Sequence, residues 1–234
     1  RRGQPTVHER YGLDAAILSG DALLIEAYTQ LAKAPLRVLP EILAEFNRVA
    51  LQVCQGQQMD MDFQKRSSVG MEEYREMIGL KTAVLLGSSL KIGALVGGAE
   101  PAQASALFRV GYLVGLAFQV QDDYLDAFGD PEKFGKQVGG DILANKKTFL
   151  LIHALEVADP STKAELMQLM QENPADKVAR ILGVFRKTGV DAWALELKKR
   201  FLNEAMSALD DIAVLSVRKK PLIDLAHYLI QREH

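Results

Sequence analysis

The chain has a single cysteine, Cys54, in 234 residues. One thiol excludes an intrachain disulfide and fits a reducing compartment. Cys54 falls in an apolar helical pattern, so core packing is its expected role. Aromatic residues make up only 7% of the chain, with one tryptophan. Charge of one sign is also missing: 28 basic residues face 30 acidic ones. That balance gives no electrostatic footprint for a nucleic-acid partner. Apolar runs long enough for a membrane span are lacking too. The nearest, Thr82 to Ala99, is interrupted by Lys91 and rich in glycine and serine. No secretory leader is legible. The expectation is a soluble cytoplasmic protein with no transmembrane segment. No strand pattern, internal repeat or low-complexity stretch is present.

What is present is helical periodicity. Hydrophobic residues form 48% of the chain, enough for a sizeable core in one large domain or two small ones. Apolar spacing predicts helices over about 14–33, 41–63 and 71–96, then a buried run from Ala106 to Val120. Further helices are predicted near 148–158, 161–172, 175–188, 191–209 and 213–231. Pro160, Pro174 and Pro221 punctuate the last group. Gly20 is expected to allow a close helix approach. Ser67 or Ser68 is expected to cap the helix that follows. Arg218-Lys219-Lys220 reads as a solvated basic patch.

Asp122, Asp123 and Asp126 stand at the end of the buried run. Asp122 and Asp126 share a helical face, with Asp123 flanking it and Gln119 one turn before. Carboxylates so placed repel one another and weaken a helix. They are, however, the ligands that Mg²⁺ prefers when it also takes substrate phosphates. A solvated acidic helix end is the alternative. Upstream, Gly56 lies between glutamines inside a helical pattern, where glycine lowers propensity. That position predicts a close approach by something else. Lys81-Thr82 sits mid-helix in apolar surroundings, and snorkelling to the surface is its default explanation. The glycine-rich stretch around Lys133 and Lys136 suits a mobile lid or an ordinary loop. Arg1 and Arg2 can each fork a phosphate or simply form a solvated basic terminus.

The string from Phe118 through Gly129-Asp130-Pro131 to Lys136-Gln137-Val138-Gly139-Gly140-Asp141-Ile142, continuing into Asn145-Lys146-Lys147-Thr148, is specific. It resembles the second aspartate-rich motif of the trans-type prenyl diphosphate synthases, such as the farnesyl and geranylgeranyl diphosphate synthases. The resemblance implies an all-α helix bundle of the isoprenoid synthase type around a central cavity. It implies catalytic roles for Lys81, Thr82, Gln119 and Lys136. Substrate binding would fall to Arg1, Arg2, Gln57, Asp60, Phe118 and Lys146. Asp122, Asp123 and Asp126 would hold Mg²⁺, with three ions once a first aspartate-rich motif contributes, and Asp141 would support that shell. That first motif precedes an Arg-Arg-Gly in the family, so residues 1–234 would be one catalytic domain beginning just after it. The implied substrates are isopentenyl diphosphate and an allylic diphosphate (dimethylallyl, geranyl or farnesyl), joined head to tail. The helix over 14–33 would line the cavity for the growing chain. A homodimer is implied by analogy. A non-catalytic bundle subunit and a terpene cyclase are the alternatives.

Overall fold

A computed structural model describes residues 4–130 and 138–231, and among them there are helices and no strand. The helices are α1 (Val7–Tyr11), α2 (Leu13–Leu31), α3 (Leu39–Lys65), α4 (Met71–Ile78), α5 (Val84–Val96) and α6 (Pro101–Phe128). They continue with α7 (Gly140–Leu143), α8 (Phe149–Val157), α9 (Pro160–Glu172), α10 (Lys177–Lys187), α11 (Val190–Asp210) and α12 (Ser216–Gln231). A π turn, Gly79–Ala83, joins α4 to α5 without a break.

Helix α6 is the axis of the bundle, packed between α5 and α11. Pro101 supplies its first turn, where a missing N–H costs nothing. Gly129 follows its last residue. Val110, Leu113, Leu116 and Val120 are buried along it. Each such side chain contributes roughly 1.5–3 kcal/mol by leaving water. Gly115 allows the helices to close: a Cβ there would lie 2.6 Å from Ala83 Cα. A charge cluster around buried Glu45 ties α3 to α5, where Glu45 pairs with Arg48 at 2.5 Å and with Lys91 at 2.9 Å. The segment Met71–Val96 has the length and apolar character of a membrane span, with hydropathy 1.4. It packs against α3 and α6, with 39% of its most apolar window buried.

Several local expectations are overturned. Cys54 is exposed. It lies about 200° round α3 from buried Gly56, on the opposite face. Gly20 has nothing within 4 Å of an added Cβ, and α2 buries none of its residues. The cap of α4 comes from neither serine. Instead the Gly70 N–H donates to Glu73 at 2.9 Å. Lys219 is buried and donates to the Asp210 carbonyl at 2.9 Å, so only its neighbours are solvated. Pro221 lies inside α12 rather than ending a helix.

Candidate active site at the mouth of the bundle

Two helices present matching stripes to one cavity of about 340 Å³. From α6 come Gln119, Asp122, Asp123 and Asp126. From α4 and the π turn come Tyr74, Met77, Ile78 and Lys81. Both sets follow the i, i+3, i+4, i+7 spacing that puts side chains on one helical face. Asp60 of α3 adds a third side. Asp141, Lys146, Lys147 and Thr148, in and after α7, add the fourth.

The meeting of α3 with the π turn explains Gly56. A Cβ there would sit 2.4 Å from the Lys81 backbone nitrogen and 2.8 Å from its Cα. Real contacts of that kind do not occur, so only glycine lets these backbones meet. One turn further along α3, Asp60 Oδ2 accepts from Lys81 Nζ at 2.6 Å. Lys81 therefore has a partner at the cavity instead of snorkelling away from it. π turns inside α-helices are rare and cluster at functional sites. This one carries Lys81 and Thr82.

A chain of hydrogen bonds fixes the Gln119 amide. Its Oε1 accepts from Thr82 Oγ1 at 3.2 Å, and its Nε2 donates to Asp123 Oδ1 at 2.9 Å. Asp123 is only 3% exposed. Its Oδ2 also accepts from the Tyr74 hydroxyl at 2.9 Å and from the Phe149 N–H at 3.3 Å. Burial pushes its carboxyl up to about 7; the bonds from Gln119, Tyr74 and Phe149 pull down, and the Asp141 charge adds to the rise. Burial, with Asp123 alongside, holds the Tyr74 phenol far above its ordinary range, so it remains a donor.

The start of α7 is fastened to the end of α6. Gly139 N–H donates to the Asp126 carbonyl at 2.6 Å, and Asp141 N–H donates to Asp126 Oδ2 at 2.9 Å. Asp141 Oδ1 in turn accepts from Lys146 Nζ at 2.5 Å. Burial works against the Lys146 charge, but the Asp141 bond together with the charges of Asp141, Asp60 and Asp126 outweighs it and raises its pKa.

Among the described residues, no three Asp, Glu, His or Cys side chains converge on one point. Asp122 and Asp126 nevertheless face one cavity, a helical turn apart. Such a donor set fits a hard cation that takes one or two carboxylates and completes its shell with substrate phosphates and water. Gln57 is exposed and does not line the cavity. Phe118 is half-buried and packs against the core beside it. Arg1, Arg2 and Lys136 lie outside the described residues. Tyr74, Met77, Ile78, Lys147 and Thr148 join the site without having been singled out from the sequence. The signal for the first three was the helical spacing counted back from Lys81.

Comparison with known proteins gives a consistent picture. The sequence profile of the polyprenyl synthetase family matches residues 1–185. A short chain isoprenyl diphosphate synthase of Methanothermobacter thermautotrophicus is 35% identical over 235 residues, spanning 100% of this chain and 72% of that protein. A geranylgeranyl pyrophosphate synthase of Geoglobus acetivorans is 36% identical, with the same 100% and 72% coverage. The crystal structure of geranylgeranyl pyrophosphate synthetase from Pyrococcus horikoshii superposes with a TM-score of 0.91 at 34% identity, covering 99% of this chain and 71% of that one.

Proposed function

The chain belongs to the polyprenyl synthetase family, and from that premise we propose how its acidic cavity works as a prenyltransferase site. The reaction is head-to-tail condensation of isopentenyl diphosphate with an allylic diphosphate, giving a longer all-trans polyprenyl diphosphate. The hard step is breaking the allylic C–O bond. It leaves diphosphate and an allylic cation, so charge of both signs must be stabilised at once.

The observation that carries the site reading is the convergence of the two helical stripes, with Lys81 and Lys146 flanking the aspartates. Asp122 and Asp126 hold Mg²⁺ together with the substrate's diphosphate. Mg²⁺, when bound, neutralises charge developing on the leaving group. Three ions, shared with a first aspartate-rich motif, are the stoichiometry we propose. Asp123, read from the sequence as a third Mg²⁺ ligand, has both carboxylate oxygens bonded by Gln119, Tyr74 and the Phe149 N–H, so in this reading it supports the face by fixing Gln119. Lys81 and Lys146, joined by Lys136, hold the departing phosphate oxygens as point charges. Asp60 keeps Lys81 extended toward them. Gln119 Oε1 and the Thr82 oxygen turn their dipoles toward the cation. Met77 and Ile78 keep that wall dry, which protects the cation from water. The alkene of isopentenyl diphosphate then attacks, and the released diphosphate accepts the proton that leaves. Arg1 and Arg2 serve as further diphosphate contacts, and Phe118 shapes the wall behind Gln119; Gln57, exposed and off the cavity, takes no part in this reading. The same reading makes residues 1–234 one catalytic domain of a cytoplasmic homodimer, which light scattering on the purified protein tests.

The decisive experiment incubates the full-length natural protein with Mg²⁺, labelled isopentenyl diphosphate and a panel of allylic diphosphates, and sizes the products. Elongated prenyl diphosphates are expected. Consumption of the allylic diphosphate without incorporation of label would overturn the reading.

A further inference from the structure

Lys177 is the first residue of α10 and is 0% exposed. A cation there is doubly unfavourable. It has left water, and it sits at the positive end of a helix dipole. Among the described residues no carboxylate pairs with it. Its Nζ donates instead to two neutral amides, Asn145 Oδ1 at 2.6 Å and Asn173 Oδ1 at 3.1 Å. Both asparagines have left-handed backbones, with φ of 53° and 50°. Asn173 ends α9. Asn145 is the residue immediately before Lys146.

The neighbouring residue completes the grip. Gly139, at φ +83°, is pressed against Val178, whose Cγ1 would lie 2.5 Å from an added Cβ. The first turn of α10 thus holds both left-handed residues that bracket α7: Gly139 before it and Asn145 after it. Between them lies Asp141, which bonds both Asp126 and Lys146. The Asn145 turn is closed by Asn145 N–H to the Ile142 carbonyl at 3.1 Å and Lys146 N–H to the Asp141 carbonyl at 3.0 Å. The direction in which Lys146 leaves the backbone therefore depends on the left-handed state of Asn145. Lys177 is the group that secures it from behind.

We infer that Lys177 is a positioning residue for the diphosphate-binding turn: through Asn145 it sets Asp141 and Lys146 opposite Asp126. The inference rests on the reading of Lys146 as a diphosphate ligand. It explains why a buried cation is kept at a helix start where a neutral residue would cost less. Lys177 does not line the cavity itself, so its effect reaches substrate through the turn.

The test uses the full-length protein and steady-state kinetics with Mg²⁺, varying each substrate in turn, alongside thermal melting. Lys177→Met and Asn145→Gly both remove the bond; glycine can still adopt the left-handed backbone without strain but is no longer held in it. Each should raise KM for the allylic diphosphate roughly 10- to 100-fold while KM for isopentenyl diphosphate stays within about twofold. The double variant should be no worse than the weaker single one, because both remove one interaction. Asn173→Gly deletes the other acceptor, on α9, and should lower the melting temperature as Asn145→Gly does while leaving both KM values unchanged. Equal kinetic behaviour of Asn145→Gly and Asn173→Gly would overturn the inference and leave Lys177 a packing element. Should Lys177→Met fail to fold, this glycine pair decides alone. A Lys146→Ala variant with an unaltered KM for the allylic diphosphate would overturn the inference at its premise and separate that failure from the role of Lys177.

Discussion

Replacing Gly56 with alanine adds one methyl group against the backbone of the π turn. The nearest atom, Lys81 N, would lie 2.4 Å away, where ordinary contacts begin near 3.4 Å. The turn must therefore move by about 1 Å or the two helices must part. The obstructing atoms are backbone, so no rotamer change relieves them. Overpacking of a tight core costs roughly 1–3 kcal/mol. Alanine returns about 1 kcal/mol through its better helix propensity. The net destabilisation is about 0–2 kcal/mol. The larger effect falls on chemistry, because the displaced atoms belong to Lys81 and Thr82. A shift near 1 Å at such a site costs on the order of 100-fold in turnover. Gly20→Ala is the matched control. It lies inside helix α2 with nothing within 4 Å, so it should stabilise by roughly 0.5–1 kcal/mol and leave turnover unchanged. Urea unfolding and kcat on both variants decide the matter. A Gly56→Ala protein as active and as stable as Gly20→Ala would refute the account of how α3 seats the π turn.

Three further outcomes follow from the same geometry. Asp122→Ala should lower kcat by orders of magnitude with its circular dichroism and melting curve intact, and near-normal turnover would remove Asp122 from the metal site. Tyr74→Phe takes one donor from the buried Asp123, a loss of roughly 1.5–3 kcal/mol above about pH 7, where the carboxyl is ionised; turnover should fall with it as Gln119 loses its fixed orientation, whereas lost stability at full activity would make Tyr74 purely structural. Glu45 is buried, which alone would raise its pKa, but bonds and charge from Arg48 and Lys91 outweigh burial and lower it below the usual 4.5. Its contribution is therefore fully present above the ordinary carboxylate range and is lost as pH falls through the lowered native value. Acid titration of stability should be less steep in Glu45→Gln, and an unchanged acid limb would contradict the pairing.

Part of this site was legible by helical spacing, which is geometry that a string of letters already contains, while Asp60, Lys81, Asp141 and Lys146 were legible only through the family resemblance. Gln119, Asp122, Asp123 and Asp126 could be placed on adjoining faces by counting, and they do line one cavity. Gly56 was legible as a close approach, since a poor helix former inside a helix needs a reason. Its partner was not, because the backbone of Lys81 is distant in sequence. Cys54 shows the limit of periodicity: its neighbours are apolar, yet it stands on the side of α3 turned away from Gly56. Lys219 and Lys177 show another limit. Lysine reads as surface, and only the tertiary fold supplies the carbonyl and the amides that admit these two. The depth of Asp123 was equally hidden, because its burial depends on Tyr74 and on the start of α8, neither adjacent in the chain.

The π turn at Gly79–Ala83 bears on how such sequences can diverge. It behaves as one residue too many in an otherwise continuous helix. Each residue turns a helix by about 100°. Deleting one residue here would remove the bulge and leave a regular helix, with the Tyr74 side still facing the aspartates and the Gly115 side still against this helix. What would be lost is the widened backbone that presents Lys81 and Thr82. The same deletion in the regular helix on either side would instead rotate one part against the other by about 100°. A one-residue gap in this stretch is therefore one the fold absorbs and the site feels.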